Sequence, residues 1–481
     1  MNTMLERIRM TQVGFMVFMF FSMVAHSTEL PSGSERRPDL SVDPFESTRE
    51  AINKLPSPAT GKDEKEQVAP LGSDKFLELK VLSPLEPKDT LRLDSAEGKA
   101  ITQGLSLTMD YFSLVSGGDP SKDINSGSAL LSQYFMQINS SGLGLWRNGV
   151  LYSQLSFYVP GTNSPSGIVG DFNGMSNIDN GNESVVKLFQ LWYKQGFSYS
   201  KSDILFGLHS IDTEFYRTKY SRLFVNNSFR MGTGLRSVAK PSAYPNTSLG
   251  VRYKSKLLAD SYIQAGIYDG SPTLGSDPRD LRINKREGSF NIVETGIVQS
   301  AQDKTEYLKL ALGAWYLYQN ITEFAGLSEN FDAVGNRGQF NEPGIGGLYF
   351  IGEGAVGDSL GLFVVAGQTE SRIARVNRFA ALGLNFSGLI PGRPIDVLGI
   401  GVAHSRQSAA FIQANEAVDF DNNGVADDCC FVAETTLELT YKVKVTKWLV
   451  IQPDFQFIHQ PAMSYFLGNT YVVGLRLQSV F

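Results

Sequence analysis

The stretch Thr436-Leu-Glu-Leu-Thr-Tyr-Lys-Val-Lys-Val445 decides the fold of this chain. Its odd-numbered residues are all apolar and its even-numbered residues all polar, so an extended strand here has one apolar and one polar face. A tally of similar segments after Ile101 gives 16, separated by polar loops that contain Gly and Pro. The repeated alternation predicts an antiparallel all-β fold.

The loops and the last segment distinguish a membrane barrel from a soluble sheet. Gln407 to Val432 forms a long connection and Val445 to Lys447 a short one, and this asymmetry is typical of outer-membrane barrels. Residues 471–481 carry an apolar stripe closed by the aromatic Phe481, an ending typical of such barrels. A sheet in lipid must close on itself because unpaired backbone groups there are costly. We therefore predict a 16-stranded antiparallel transmembrane β-barrel with an aqueous lumen.

Composition excludes several other classes of protein. The 481 residues include 43 basic and 49 acidic side chains, a net charge of −6 that argues against nucleic-acid binding. Only 19% of residues are charged, whereas there are 47 Gly, 19 Tyr and 31 Phe. No apolar run of about 20 residues occurs after the first thirty, which argues against a polytopic helical membrane protein.

The N-terminal part predicts export. Arg7 and Arg9 precede an apolar stretch, and Ala25 and Ser27 suit the −3 and −1 positions of a cleavage site, so 1–27 is predicted to be a signal peptide. A membrane anchor is the alternative, but the apolar stretch is short for a spanning helix. Residues 28–100 are rich in Pro, Ser and charged groups, which predicts a largely disordered polar periplasmic leader. The barrel then occupies 101–481, in the outer membrane of a Gram-negative bacterium.

The polar face of the strands suggests what the lumen binds. It mixes amides, aromatic rings and charges of both signs, which suit sugar hydroxyls and the apolar side of a sugar ring better than a simple ion pore. Ordinary wetted lumen residues are the alternative at each position. The predicted inward-facing residues are Gln190, Trp192, Lys194, Tyr262, Gln264, Lys309, Trp315, Glu438, Lys442, Gln452, Asp454, Gln456, Arg476 and Gln478.

Two long connections are candidates for an inward-folded constriction. Ile211 to Asn246 combines acidic, basic and aromatic side chains, and salt-bridged loop packing is the alternative explanation for them. Gly161 to Asn182, rich in Gly, Asn and Ser, is the second candidate. The charged residues of the first segment are Asp212, Glu214, Arg217, Arg222, Arg230 and Arg236.

Several stretches resemble the carbohydrate-selective porin family, the porin B group of Gram-negative outer membranes. The most specific are Gly388-Leu-Ile-Pro-Gly-Arg-Pro394 and the segment Glu434 to Pro461, which is similar to that family's closing hairpin. Further similar stretches are Phe189-Gln-Leu-Trp-Tyr193, Gly207 to Phe215, Leu223-Phe-Val-Asn-Asn-Ser-Phe229, Tyr244-Pro-Asn-Thr-Ser-Leu-Gly250 and Gln264-Ala-Gly-Ile-Tyr-Asp-Gly270.

This resemblance implies a 16-stranded pore for passive diffusion of monosaccharides, narrowed in part by inward loops. Carried over by position, the lining would include Asp212, Glu214 and Arg217 from the loop and Trp192, Glu438 and Asp454 from the wall. Arg222 in the same loop and Lys442 and Arg476 on the polar face complete the predicted pore lining.

An acidic segment near the C-terminal end raises the question of a metal. Asp419, Asp421, Asn423 and Asp427 offer oxygen ligands in a pattern similar to the first half of a calcium loop. The twelfth position holds Cys430 instead of Glu, so a solvated acidic loop is the alternative. Cys429 and Cys430 are adjacent, and a bond between them would be strained, which leaves pairing with another chain as a possibility. No other cofactor is expected.

No enzyme motif stands out. His404 and Ser405 are neighbours on a predicted strand, so they point to opposite faces and cannot act as base and nucleophile. The alternative to a porin is a surface-exposed structural or adhesin-like protein that uses its loops and cysteines for contacts. Expected partners are small polar solutes, above all sugars, and outer-membrane lipid, with no nucleic acid. A homo-oligomer, or a disulfide through Cys429 or Cys430, is also compatible with the sequence.

Overall fold

A computed structural model describes the protein at residues 100–120, 123–199, 201–239, 244–257, 260–270, 288–300, 307–318, 321–322, 341–342, 344–357, 359–372, 374–416 and 431–481. The predicted signal peptide 1–27, nearly all of the leader 28–100, the acidic segment 419–428 and the two cysteines lie outside these residues. Statements below on what is absent refer to the described ranges.

The described residues form strands with few helices. The strands are β1 (Ile101–Gly118), β2 (Ser126–Asn139), β3 (Gly149–Pro160), β4 (Val185–Phe197), β5 (Ser202–His209), β6 (Ser248–Lys256), β7 (Ser261–Asp269), β8 (Ser289–Ser300), β9 (Tyr307–Tyr318), β10 (Ile321–Thr322), β11 (Asn341–Glu342), β12 (Ile345–Val356), β13 (Leu360–Thr369), β14 (Val376–Ser387), β15 (Val397–Gln407), β16 (Ala433–Lys444), β17 (Leu449–His459) and β18 (Gly468–Val480). The α-helices are α1 (Ser166–Val169), α2 (Thr233–Ala239) and α3 (Ala409–Glu416). No helix in the described ranges has the length and apolar character needed to cross a bilayer.

The strands close into one antiparallel barrel. All except β10 and β11, which pair only with each other, join in a ring that is completed where β1 meets β18. Phe481 extends this seam, since its N–H donates to the carbonyl of Leu105 at 2.9 Å. The ring has the predicted sixteen strands, and closure leaves no unpaired sheet edge in it. The small β10–β11 hairpin was not expected from the sequence.

The barrel has a short-turn end and a long-loop end. Short turns such as 445–448 and 357–359 join strands at one end, where Phe481 also lies, whereas connections such as 161–184 and 210–247 lie at the other. The predicted asymmetry of the loops is therefore confirmed.

Burial alternates along the strands as predicted. Leu437, Leu439 and Leu475 are exposed on the outer face, and their polar neighbours point inward. The inward-facing residues predicted from the sequence are all buried except Lys442, which is half-buried. The outer face is thus apolar and suits lipid, and the polar face surrounds the lumen.

An apolar core fills part of the lumen. Aromatic and aliphatic side chains on the inner faces of β7 to β15 pack against apolar residues of the connection 210–247. From the connection come Ile211, Phe215, Tyr216, Phe224, Phe229, Met231 and Leu235, and from the wall Tyr268, Phe290, Ile292, Trp315, Ile345, Tyr349, Phe363 and Phe379, among others. This burial stabilises the connection inside the barrel.

Candidate functional site

Two connections fold into the barrel and narrow it. We call 161–184, between β3 and β4, the first lumen loop and 210–247, between β5 and β6, the second lumen loop. The strands that carry the second loop have only 8 and 9 residues, against 13 for the preceding β4, so this loop leaves the wall below the rim. Both predicted constriction segments therefore enter the lumen.

Three wall carboxyl groups hold the second lumen loop by accepting hydrogen bonds from its backbone. The N–H of Tyr216 donates to Glu294 on β8 at 3.0 Å, those of Lys219 and Tyr220 to Glu353 on β12 at 2.6 and 3.2 Å, and those of Val225 and Asn226 to Glu438 on β16 at 2.6 and 2.9 Å. All three glutamates are buried. Each bond satisfies a backbone donor that would otherwise be buried without a partner.

The first lumen loop is held by carboxyl groups in the same way. Glu434 on β16 accepts from the N–H groups of Phe172 and Asn173 at 2.7 and 3.1 Å and from the Asn173 side-chain amide at 2.6 Å. It also accepts from the N–H of Ala462 at 2.6 Å, so it joins this loop to the β17–β18 connection. Asp110 on β1 accepts from the Ser176 hydroxyl at 2.5 Å.

The two lumen loops bind to each other where they meet. The N–H of Asn177 donates to the carbonyl of Val225 at 2.8 Å, and the N–H of Asn227 donates to the carbonyl of Gly174 at 3.0 Å. Arg230 of the second loop adds a bond from Nη1 to the carbonyl of Asn177 at 2.9 Å. The loops therefore form one connected layer inside the barrel.

Small residues on the wall make room for this layer. Phe224 of the second lumen loop lies against the backbone of β15, where Gly399 and Gly401 face inward. A Cβ atom on Gly401 would lie 2.7 Å from the Phe224 ring, which is too close for any side chain there. These glycines bring the loop close to the strand.

A cluster of charges lies at the β4–β6 side of the second lumen loop. The buried Arg252 on β6 pairs with Asp203 on β5 and with the loop residue Glu214, whose Oε2 lies 2.5 Å from Arg252 Nη2. Burial alone would raise the pKa of Glu214, but the positive charges of Arg252 and Arg217 lower it to about 2. Glu214 is therefore an anion at neutral pH, and its charge fixes the start of the loop against the wall.

The first lumen loop contains an acid in the opposite situation. Burial, together with the negative charge of Glu434 nearby, raises the pKa of Asp171 to about 8. The N–H of Gly174, which donates to Asp171 at 2.7 Å, and the charge of Arg236 favour its anionic form but do not outweigh burial. Asp171 consequently holds a proton over much of the physiological pH range.

The predicted loop residues differ in their exposure. Asp212 and Glu214 are buried, and Asp212 accepts from Arg230 Nε at 2.8 Å. Arg217 and Arg222 are half-buried, as are Arg230 and Arg236. The carbonyl of Arg217 accepts from Lys309 Nζ at 2.5 Å, which fixes the backbone beneath the side chain.

The predicted wall residues lie on two sides of the lumen. Trp192 on β4 is 3% exposed and stacks on Tyr152 with ring centroids 4.9 Å apart. Four strands away in the ring, Arg476 on β18 donates two hydrogen bonds to Asp110 at 2.7 and 2.6 Å. Glu214 and Arg217 lie near each other, and Arg476 belongs to a second group of predicted residues on β16 to β18.

Within that second group, the predicted residues contact the loops and one another. Glu438 holds the second lumen loop, and Asp454 accepts from the Gln456 amide at 2.8 Å. Arg476 also donates to Asn177 of the first lumen loop at 2.8 Å. Lys442 is half-buried in the same wall. These contacts make Glu438 and Arg476 anchors of the lumen loops, and their role as pore lining stays a prediction.

Four anchors were missed by the sequence reasoning: Asp110, Glu294, Glu353 and Glu434. Each is an acid on the polar face of its strand, as in Gly352-Glu-Gly354. An acid on the polar face can be recognised in the sequence, but a carboxylate in contact with lumen water has the same pattern as a loop anchor. Only the loop that binds each residue, often more than 100 residues away in the sequence, distinguishes an anchor.

The metal prediction is untested, since Asp419, Asp421, Asn423 and Asp427 lie outside the described residues. Elsewhere in the described ranges, no group of three or more His, Cys, Asp and Glu side chains could hold a metal ion. His404 is exposed and Ser405 buried, so the two do point to opposite faces of β15, as predicted.

This chain resembles known proteins in sequence and in fold. The model of the carbohydrate-selective porin, OprB family, matches residues 156–481. Porin B of Pseudomonas aeruginosa is 25% identical over 325 residues, which cover 61% of this chain and 68% of that protein. The high-pH structure of OprB from Pseudomonas putida superposes with a TM-score of 0.69 at 18% identity, over 79% of this chain and 94% of that chain. The similarity to the Pseudomonas putida structure supports the 16-stranded barrel fold.

Proposed function

This chain belongs to the carbohydrate-selective porin family, and from that premise we propose that it passes monosaccharides by passive diffusion through the layer formed by its two lumen loops. It is an outer-membrane channel for carbohydrates. Its short-turn end accordingly faces the periplasm, and its long-loop end faces the outside. Family and fold are those of a channel rather than of an enzyme.

One observation supports the finer proposal: the half-buried Arg217 lies near Glu214, which is held as an anion by Arg252. A guanidinium group beside a fixed carboxylate offers donors and acceptors in a rigid arrangement, which suits the adjacent hydroxyl groups of a sugar. Arg222, which is also half-buried, contributes a second guanidinium from the same loop. The anchoring of the loop prevents these groups from moving away as a solute passes.

The test is single-channel conductance of the refolded protein in a planar bilayer, titrated with glucose and with a size-matched uncharged non-sugar. We expect glucose to lower the current saturably and the non-sugar to lower it only through viscosity. The variant Arg217→Gln should weaken glucose block several-fold, because it removes a charged hydrogen-bond donor. A matched control is Arg393→Gln, since Arg393 pairs with Asp396 in a turn at the periplasmic end.

Two results would contradict the proposal. Equal effects of glucose and the non-sugar on open pores would indicate a general porin without a sugar site. Block that survives Arg217→Gln unchanged would remove this residue from the site while leaving the channel itself established. The surface-structural or adhesin-like alternative is not favoured by the family match.

Further predictions concern residues outside the described ranges. We propose that the segment Asp419 to Asp428 binds Ca²⁺ outside the cell, with Asp419, Asp421, Asn423 and Asp427 as ligands. Calorimetric titration of Ca²⁺ into wild type and Asp421→Asn tests this, and equal heats would contradict it. Association of barrels, including a disulfide through Cys429 or Cys430, is tested by non-reducing electrophoresis of Cys429→Ser and Cys430→Ser.

A further inference from the structure

A pair of arginines stands on the lipid-facing side of the barrel near its extracellular end. Arg378 on β14 and Arg406 on β15 lie directly opposite each other in the strand register, and both are exposed. Residues paired in this way have Cα atoms about 5 Å apart. Two like charges at that spacing destabilise a sheet unless an anion lies between them.

The protein itself supplies no such anion in the part of the chain that the structure describes. Neither guanidinium makes a hydrogen bond or an ion pair with a described residue. Arg372, in the neighbouring connection, differs in this respect because its Nε lies 3.0 Å from Glu370 Oε1. Arg378 and Arg406 are therefore unpaired among the described residues, whereas Arg372 is paired.

Three tiers of outward-facing residues surround the pair. The upper tier is Gln368, Arg378, Arg406 and Ala433, the next tier toward the membrane centre is Ala366, Ala380, His404 and Thr435, and the third is Val364, Leu382, Val402 and Leu437. Successive tiers are two residues apart along each strand, or about 7 Å. The surface changes from basic to small and polar to fully apolar over two such steps, or about 14 Å.

This sequence of tiers matches a phosphorylated lipid. The phosphate would lie between the two guanidinium groups, which bind it bidentately. His404, whose Nδ1 lies 2.9 Å from Thr435 Oγ1, leaves its other ring nitrogen for the same headgroup. Acyl chains would then lie on Leu382 and Leu437. A soluble anion would not contact the apolar tier, and a soluble protein cannot reach this face of the barrel because lipid covers it.

We propose that Arg378 and Arg406 bind the phosphate of an outer-leaflet lipid. This inference is independent of the sugar site, because the pair faces lipid and not the lumen. The barrel would carry a bound phosphorylated lipid on β14 and β15, and glucose block of the channel should be unaffected by its loss.

The test is native mass spectrometry of the purified barrel titrated with diphosphoryl lipid A, with the same lipid after dephosphorylation, and with inorganic phosphate. We expect wild type to prefer the phosphorylated lipid by about tenfold or more. Arg378→Gln with Arg406→Gln should abolish most of that preference. The control Arg372→Gln removes one charge at the same end and should keep the preference for the phosphorylated lipid. Replacement of both Arg378 and Arg406 by Lys should keep more of that preference than replacement by Gln.

Folding of each variant is checked by its heat-modifiable electrophoretic mobility and by its open-channel conductance in a planar bilayer. Equal binding of the two lipid forms by wild type would overturn the proposal, as would a folded double Gln variant that keeps the preference. Inorganic phosphate that competes with the lipid at similar concentration would overturn the assignment to a lipid.

Discussion

The two lumen loops use the same kind of group, a carboxyl group inside the barrel, in opposite electrostatic settings. In the second lumen loop, Glu214 contacts Arg252 and stays ionised. In the first lumen loop, Asp171 lies near the acid Glu434 and favours its protonated form. Both loops are also held by wall carboxyl groups that accept backbone hydrogen bonds.

This difference shows that the neighbours of a carboxyl group decide whether burial raises its pKa, as for Asp171, or is outweighed by positive charge, as for Glu214. The second lumen loop is fixed by an ion pair that neutral pH does not disturb. The first depends on a proton that is lost as pH rises. The constriction therefore has one element that is insensitive to pH near neutrality and one that is sensitive.

The largest expected effect follows from removal of the ion pair in the second lumen loop. Arg252→Met leaves Asp203 and Glu214 buried without their partner, which should cost about 3–5 kcal/mol. The free energy of unfolding from denaturant titration in detergent measures this. Arg372→Met is the control, because Arg372 and Glu370 form an exposed pair. A loss no larger than in the control would contradict the assigned role of Arg252.

Removal of a wall anchor should have the next largest effect. Glu438→Ala leaves the N–H groups of Val225 and Asn226 without their acceptor, at a cost of about 2–4 kcal/mol. Single-channel recordings should show a larger and noisier current, because the second lumen loop is released. Glu183→Ala removes an exposed acid and is the control. An unchanged current in the anchor variant would show that other contacts suffice.

Opposite pH responses of the two loops are a further expected result. Asp171 has a raised pKa in the anchored first loop, so it binds a proton more tightly there than it would in a released loop. The anchoring of this loop therefore weakens as pH rises from about 4 to 8. Glu214 has a lowered pKa, so its contribution is complete above its ordinary value and is lost as pH falls toward 2. Current noise between pH 3 and 9 measures both.

Two variants separate these responses. Asp171→Asn should abolish the change at high pH and leave the change at low pH, and Glu214→Gln should do the reverse. If Asp171→Asn keeps the full rise in noise between pH 5 and 9, another group is responsible and the contrast between the loops is lost.

The smallest expected effect concerns a single wall hydroxyl group that donates a hydrogen bond to the first lumen loop. The Tyr158 hydroxyl on β3 donates to Asp179 Oδ1 at 2.6 Å. Tyr158→Phe should destabilise the loop by about 1 kcal/mol, with the barrel unchanged. Protease cleavage rates within the loop measure this, and Tyr465→Phe, at an exposed ring, is the control. Equal rates in the two variants would assign the stability of the loop to its other contacts.

The barrel could be predicted from the sequence because its signals are local. Alternation in Thr436 to Val445 and the ending at Phe481 each depend on residues within one strand, and the strand count followed from repetition. The two lumen loops were also identified, because charged and aromatic residues are concentrated in 211–246.

The anchors could not be distinguished from pore lining in the same way. Glu438 was predicted to line the pore, yet it contacts Val225, 213 residues away, and no local pattern reveals such a pairing. The same holds for Glu434, which was not proposed at all. Side chains on one polar face look alike until the loop that covers some of them is placed.

The most direct test of the central claim is solute entry into liposomes that contain the purified protein. Swelling rates are compared for glucose, an uncharged non-sugar of the same size, and a disaccharide. The account predicts that glucose enters several-fold faster than the non-sugar, and that the disaccharide is slower than its size alone requires. Rates that depend only on solute size would contradict a sugar-selective constriction at the lumen loops.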